Sequence, residues 1–175
     1  MHGFWGEQPQ AWYKMLRMEH HTVAVLMKAA SNYSELILYF VYAAILIYAI
    51  FMKDKDKIFF IFRFSGVAVM YSLILTQLLK ASFRMPRPGH SLPRQPFSFL
   101  HDYSSFPSGH TVAIITAALP LALWINKGKW YIVLSLLVAS VGVSRLWLGA
   151  HHQVDILGGI VVGSLAARAG LYRQK

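Results

Sequence analysis

Eleven residues in three blocks carry the chemistry available to this chain: Lys80 with Arg87 and Pro88, then Pro107-Ser108-Gly109-His110, then Ser144-Arg145 with His151 and Asp155. His151 and Asp155 are four apart at the start of an apolar stretch, so on a helix both side chains lie on one face. A carboxylate placed there holds one imidazole nitrogen and leaves the other aimed outward as a nucleophile. His110 lies two residues past Ser108 at another helix start, where a protonated imidazole can donate to a leaving oxygen. Lys80, Arg87 and Arg145 supply fixed positive charge, and the backbone amides around Ser108 and Gly109 at a helix N-terminus make an anion cradle. That set suits the charge spread over the equatorial oxygens of a phosphoryl group in transfer. Arg84, between Lys80 and Arg87, is within reach of a second phosphate or a headgroup.

Taken singly, each residue has a plainer reading. Arg87 or Arg145 alone reads as a snorkelling interface cation, Pro107 with Gly109 as a helix start, and Asp155 as a cap. Their joint spacing favours chemistry. His152, His20, His21, His90 and His101 fit no part of the pattern and read as bystanders or loop histidines.

The elements that must position these blocks are membrane helices. With 56% hydrophobic residues, 14% charged residues and a mean hydropathy of +0.44 over 175 residues, the chain is too apolar for an ordinary soluble domain. It reads as one integral membrane domain over residues 1–175. There are no cysteines, which excludes disulfides, thiolate metal sites and a cysteine nucleophile. The net charge of +10 is divided among short loops and the three blocks rather than gathered in one stripe. Anionic lipid headgroups are therefore the expected counter-charge, and not nucleic acid. Nothing in the pattern specifies an oligomeric state.

Five apolar stretches, near 34–52, 58–79, 108–126, 130–147 and 152–172, approach the roughly 20 helical residues needed to cross a bilayer core of about 30 Å. Glu35 is the one charged residue in the first, and Arg63 lies near enough to the start of the second to snorkel. The fifth carries Gly158, Gly159, Gly163, Ser164, Ala166 and Ala167, small residues that predict close packing inside the bundle. In residues 1–33, Trp5, Trp12, Tyr13 and Leu16 interleave with Lys14 and Arg17, which predicts interfacial helices, with a sixth short or tilted crossing as the alternative. No ordered n-region, h-region and cleavage site is evident, so no cleavable signal peptide is expected. The fold expected is an all-α polytopic bundle of five to six membrane helices with N-terminal interfacial helices.

Loop charge suggests an orientation. Lys53, Lys55, Lys57, Lys127, Lys129, Arg168, Arg173 and Lys175 gather at one end of the stretches, which the positive-inside rule makes cytoplasmic. The opposite end also has eight basic residues, spread over longer segments. Stretches two to five alternate in direction, so all three blocks meet at that opposite, extracytoplasmic end. Residues 80–107 there contain Pro86, Pro88, Pro93, Pro96 and Gly89, which exclude a continuous helix and predict a long active-site loop.

The three blocks, with six residues between Lys80 and Arg87 and with five then three residues around His151, resemble the tripartite signature of the type 2 phosphatidic acid phosphatase superfamily. That superfamily includes membrane lipid phosphatases, soluble bacterial acid phosphatases and vanadium haloperoxidases. The resemblance covers roughly residues 58–172. It implies a phosphatase, independent of metal and cofactor, working through a phosphohistidine. His151 would attack phosphorus, Asp155 would orient it, and His110 would protonate the leaving group. Lys80, Arg87, Ser108, Gly109 and Arg145 would bind the phosphate oxygens. It also implies six membrane helices in a bacterial inner membrane, with the site facing the periplasm. The substrates it suggests are lipid A 1-phosphate, phosphatidylglycerol phosphate and undecaprenyl pyrophosphate. Many small bacterial undecaprenyl pyrophosphatases of this family have Asp where Gly109 stands, which favours the other two, and of these lipid A 1-phosphate is put narrowly first. The alternatives are a lipid phosphotransferase using the same phosphohistidine and a non-catalytic lipid-binding or transport protein.

Overall fold

The computed structural model describes residues 21–88 and 104–171. They form five helices and, among the described residues, no strand: α1 (His21–Phe51), α2 (Lys55–Phe83), α3 (Gly109–Ile125), α4 (Gly128–Trp147) and α5 (Gln153–Leu171). All but α3 are long and apolar enough to cross a membrane. At 17 residues α3 reaches about 26 Å, the short end of the spanning range. The all-α membrane bundle expected from hydropathy is what the chain forms.

The start of the first helix differs from the expected boundary at Ser34. α1 begins by His21 and runs without a break to Phe51, so residues 21–33 are continuous with the first span. No proline or glycine interrupts this run, and Lys28, the one Lys or Arg within it, is exposed. At 31 residues, or about 46 Å, α1 is longer than a hydrocarbon core and must extend beyond it. Trp5, Trp12, Tyr13, Lys14, Leu16 and Arg17 lie outside the described residues, as does the rest of the expected interfacial segment before His21.

Tight turns make neighbouring helices antiparallel. Asp54 caps α2 by accepting the Lys57 N–H at 3.1 Å, and its carboxylate also pairs with the Lys57 ammonium. Asn126 closes α3 in the left-handed conformation (φ 47°), its N–H reaching the Ala122 carbonyl at 2.9 Å. The loop from α2 to α3 is the long one, as its five prolines predict.

The shortest helix is the central one, since α3 touches each of the other four. It can do so because it is apolar all round, burying Val112, Ile114, Ala118 and Leu121 on different faces. Pro120 removes one N–H from its ladder, and one turn earlier the Tyr42 hydroxyl donates to the Ala117 carbonyl at 2.8 Å. A ladder of stacked rings, Tyr42 on Phe64, Phe64 on Phe60 and Phe60 on Trp124, ties α1, α2 and α3 together at centroid distances of 6.0, 5.8 and 6.1 Å. Arg63 turns back toward the start of α2, its guanidinium 5.9 Å from the Phe59 ring centroid, as a snorkelling cation should.

Helix α5 packs by its small residues. A Cβ on Gly159 would lie 2.7 Å from Thr111 Cβ, and one on Gly163 would lie 2.8 Å from both Ile115 Cβ and the Val112 carbonyl. These glycines set how closely α5 approaches α3, while Leu157, Val161 and Leu165 form an exposed stripe on the other side. Gly163→Leu is expected to cost about 1–3 kcal/mol by forcing the two backbones apart. A detergent melting curve identical to wild type would contradict that packing. Around the bundle Phe40, Phe51, Phe62, Ile132 and Leu136 are each more than 60% exposed, an outer surface suited to lipid and not to water.

Candidate active site

Helix direction brings the C-terminal ends of α2 and α4 and the N-terminal ends of α3 and α5 to one face, and with them the three blocks. The long loop is pinned there at both ends. The Met85 N–H donates to Ser104 Oγ at 3.0 Å and the Ser105 N–H donates to the Met85 carbonyl at 2.8 Å. The Phe106 ring packs edge-on against Phe83 and over Gly158, where a Cβ would come within 2.3 Å of it. Lys80, only 4% exposed in the last turn of α2, donates from Nζ to the Ser104 carbonyl at 3.0 Å.

His151 lies between α4 and α5 and is 3% exposed. Its Nδ1 is 3.0 Å from the Ser105 carbonyl and 3.4 Å from Asp155 Oδ2. A carbonyl oxygen only accepts, so Nδ1 carries the hydrogen and Nε2 keeps its lone pair in the neutral ring. Burial pushes the His151 pKa below its usual 6.5; the Asp155 carboxylate opposes this, and the charges of Arg145 and Arg87 add to the lowering. The neutral imidazole is thus held in one tautomer, with the lone pair on Nε2.

Asp155 does two jobs with one oxygen. It occupies the third position of α5, and Oδ2 accepts the His152 N–H at 2.7 Å, the reach-back of a capping box. The same atom faces His151 Nδ1. The cap reading and the orienting reading of this carboxylate are therefore compatible. The Asp155 carbonyl also accepts the Ser108 N–H at 3.0 Å, joining the starts of α3 and α5.

Ser108 is fully buried at the N-cap of α3. Its hydroxyl makes no cap bond to its own helix and instead accepts from Thr111 Oγ1 at 3.1 Å. Gly109 and His110 follow in the first turn, partly exposed, and a Cβ on Gly109 would meet nothing within 4 Å. Gly109 is therefore not required by packing; the space beside it is open. Arg145, in the last turn of α4, donates from Nη1 to the Ser31 hydroxyl of α1 at 3.0 Å. Arg87 and Arg145 both act electrostatically on His151, which places their charges around one imidazole. Arg84 is the exception: it caps α2 in the left-handed conformation (φ 46°) and its side chain is exposed, outside the buried group.

Several contacts have no counterpart in the sequence reading. Ser104 meets Lys80 and Ser105 meets His151 through backbone carbonyls, which every residue possesses, so sequence carries no signal for these contacts. Ser31 lies 114 residues from its partner Arg145. Glu35 did carry a signal, as the one charged residue in an otherwise apolar span, though not the identity of its partner.

Comparison with known proteins bears on the family and the fold. A family model described as the PAP2 superfamily matches residues 62–175. Among curated proteins, the bacitracin transport permease protein BcrC of Bacillus licheniformis is 26% identical over 77% of this chain and 64% of its own length. An undecaprenyl-diphosphatase, BcrC of Bacillus subtilis, is 28% identical over 57% of this chain and 50% of its own length. A lipid A 1-phosphatase of Rhizobium johnstonii is 30% identical over 55% of this chain and 41% of its own length. The chain thus spans less than two thirds of the length of each of these relatives. The crystal structure of a transmembrane PAP2-type phosphatidylglycerolphosphate phosphatase from Bacillus subtilis superposes with a TM-score of 0.64 over 93% of this chain and 84% of that one, at 20% identity, a likeness of fold.

Proposed function

This chain belongs to the PAP2 superfamily, and from that membership we propose that it is a membrane phosphatase hydrolysing a phosphate or diphosphate ester of a membrane lipid through a phosphohistidine. The observation that carries the proposal is the His151 ring, its Nδ1–H held by the Ser105 carbonyl and Asp155 so that Nε2 is the free nucleophile.

In the first step Nε2 of His151 attacks phosphorus and the bond from phosphorus to the leaving oxygen breaks. His110, protonated, gives its proton to that oxygen, so the leaving group departs as an alcohol or as a protonated phosphate. Charge on the three equatorial oxygens falls to Lys80, Arg87, Arg145, the Ser108 hydroxyl and the backbone amides at Gly109 and His110. In the second step water attacks phosphorus, His110 takes its proton, the N–P bond breaks and inorganic phosphate leaves. Asp155 steadies the positive charge on the imidazole while phosphorus is attached.

The basic loops support a periplasmic site in a bacterial inner membrane. Lys53, Lys127 and Arg168 sit at the end opposite to the three blocks, the end that the positive-inside rule assigns to the cytoplasm. The proposed substrate class is a lipid phosphate: lipid A 1-phosphate, phosphatidylglycerol phosphate or undecaprenyl pyrophosphate. By family analogy Gly109 favours lipid A 1-phosphate and phosphatidylglycerol phosphate over undecaprenyl pyrophosphate, and lipid A 1-phosphate is put first; the curated relatives include proteins named for lipid A and for undecaprenyl diphosphate.

The test is phosphate release by detergent-purified protein from each of these lipids and from phosphatidic acid, in excess chelator. Release should persist without free divalent ions, because Lys80, Arg87 and Arg145 provide the positive charge that the phosphoryl oxygens require. Turnover that needs an added divalent ion would overturn the direct scheme. Phosphate appearing on an acceptor hydroxyl instead of in solution would mark a phosphotransferase.

A further inference from the structure

We propose that Ser31 and Glu35, both on α1, are positioning residues that hold the Arg145 guanidinium ready for the phosphoryl group. This rests on the phosphatase reading above and extends it to a helix outside the three blocks and outside the region matched by the family, residues 62–175.

Ser31 is fully buried, and its hydroxyl receives the Nη1–H of Arg145 at 3.0 Å. Glu35 is one turn further along α1, on the same face as Ser31. Glu35 is near enough to Arg145 for the two to interact electrostatically, and Glu35 Oε1 is buried with no hydrogen-bond partner among the described residues. A carboxylate in an apolar span is costly and is retained where it does something. Glu35 lies one turn from the Ser31 hydroxyl that holds Arg145, the one signature cation carried by α4.

Guanidinium is a planar fork with five donors, so one part of it can be fixed by protein while the rest stays available to an anion. An arginine reaching from a helix end would otherwise sample many rotamers, and a charge displaced by about 1 Å can cost up to about 10²-fold in rate. Ser31 fixes the direction of the fork, and Glu35 supplies a counter-charge that keeps it in place before the substrate arrives. Helix α1 thereby becomes part of the active site.

The experiment is a double-mutant cycle on kcat/KM, with Ser31→Ala and Glu35→Gln each made in the wild-type and Arg145→Ala backgrounds. Each single substitution is expected to lower kcat/KM by about 10- to 100-fold in the presence of Arg145, and by less than about 2-fold in its absence. Glu35→Asp should restore part of the loss. Where Ser31→Ala or Glu35→Gln does not fold, Ser31→Cys and Glu35→Met, which also remove the oxygen acceptor and the carboxylate, replace them in the cycle. Equal losses in both backgrounds would mean a merely structural role and would overturn the inference, as would wild-type rates in both single variants while Arg145→Ala is impaired. If the wild-type protein turns over none of the lipids, it is the phosphatase reading that has failed. The same cycle, read as the affinity for inorganic phosphate by calorimetry, then decides the positioning separately: coupling through Arg145 supports it and its absence overturns it.

Discussion

His151→Ala is expected to reduce lipid phosphate turnover by at least about 10⁴-fold, because in the proposed scheme it removes the atom that bonds to phosphorus. The substitution should leave the fold standing. Asp155 keeps its cap on the His152 N–H, the Ser108 N–H keeps the Asp155 carbonyl, and the glycine face of α5 still packs on α3. The loss is therefore catalytic, and a melting curve close to wild type should accompany it. Residual turnover within 10-fold of wild type would mean that another group attacks phosphorus.

Asp155→Asn is expected to have the second largest effect, about 10²- to 10³-fold on kcat/KM. In triads where the carboxylate alone orients the imidazole, the same change costs about 10⁴-fold by allowing the wrong tautomer. Here the Ser105 carbonyl lies closer to Nδ1 than Asp155 does, 3.0 against 3.4 Å, and keeps the hydrogen there. What is lost is the anion that stabilises the charged ring. The amide oxygen of Asn still accepts the His152 N–H, so the cap survives the substitution.

This variant also has a pH signature. In the wild-type protein His151 must be neutral to attack, and its pKa is held below 6.5 by burial, so the acid limb of kcat/KM should lie below pH 6.5. The proposed scheme also needs a proton on the leaving-group acid, so activity should fall again on the alkaline side, giving a bell. Asp155 raises the His151 pKa against the effect of burial; without the carboxylate the pKa falls further and the acid limb moves to lower pH. A measured shift to higher pH would contradict the assigned electrostatics.

The blocks were legible in the sequence because their spacing follows helix geometry. His151 and Asp155 share a face by being four apart, and the alternation of apolar stretches puts both at the end where Lys80 and Ser108 lie. The glycines of the fifth stretch announced its packing against a neighbour, which proved to be α3. The start of α1 was less legible, since His21 and Lys28 break the apolar pattern while the helix itself runs on through them. Spacing alone did not separate Arg84 from Lys80 and Arg87: the left-handed cap of α2 leaves its side chain exposed, where a headgroup but not the buried group is in reach. Contacts made by a backbone carbonyl, as at Ser105, or across 114 residues, as between Ser31 and Arg145, depend on helix packing that no local pattern encodes.

The most direct test of the account is to trap the covalent intermediate. Detergent-purified protein is mixed with a lipid labelled at the phosphate, quenched within the first turnover, and the protein-bound label is mapped. The account predicts label on His151, stable in base and labile in acid as an N–P bond is, and absent from His151→Ala. Turnover by the wild-type protein with no label on His151, or label that persists in His151→Ala, would contradict it.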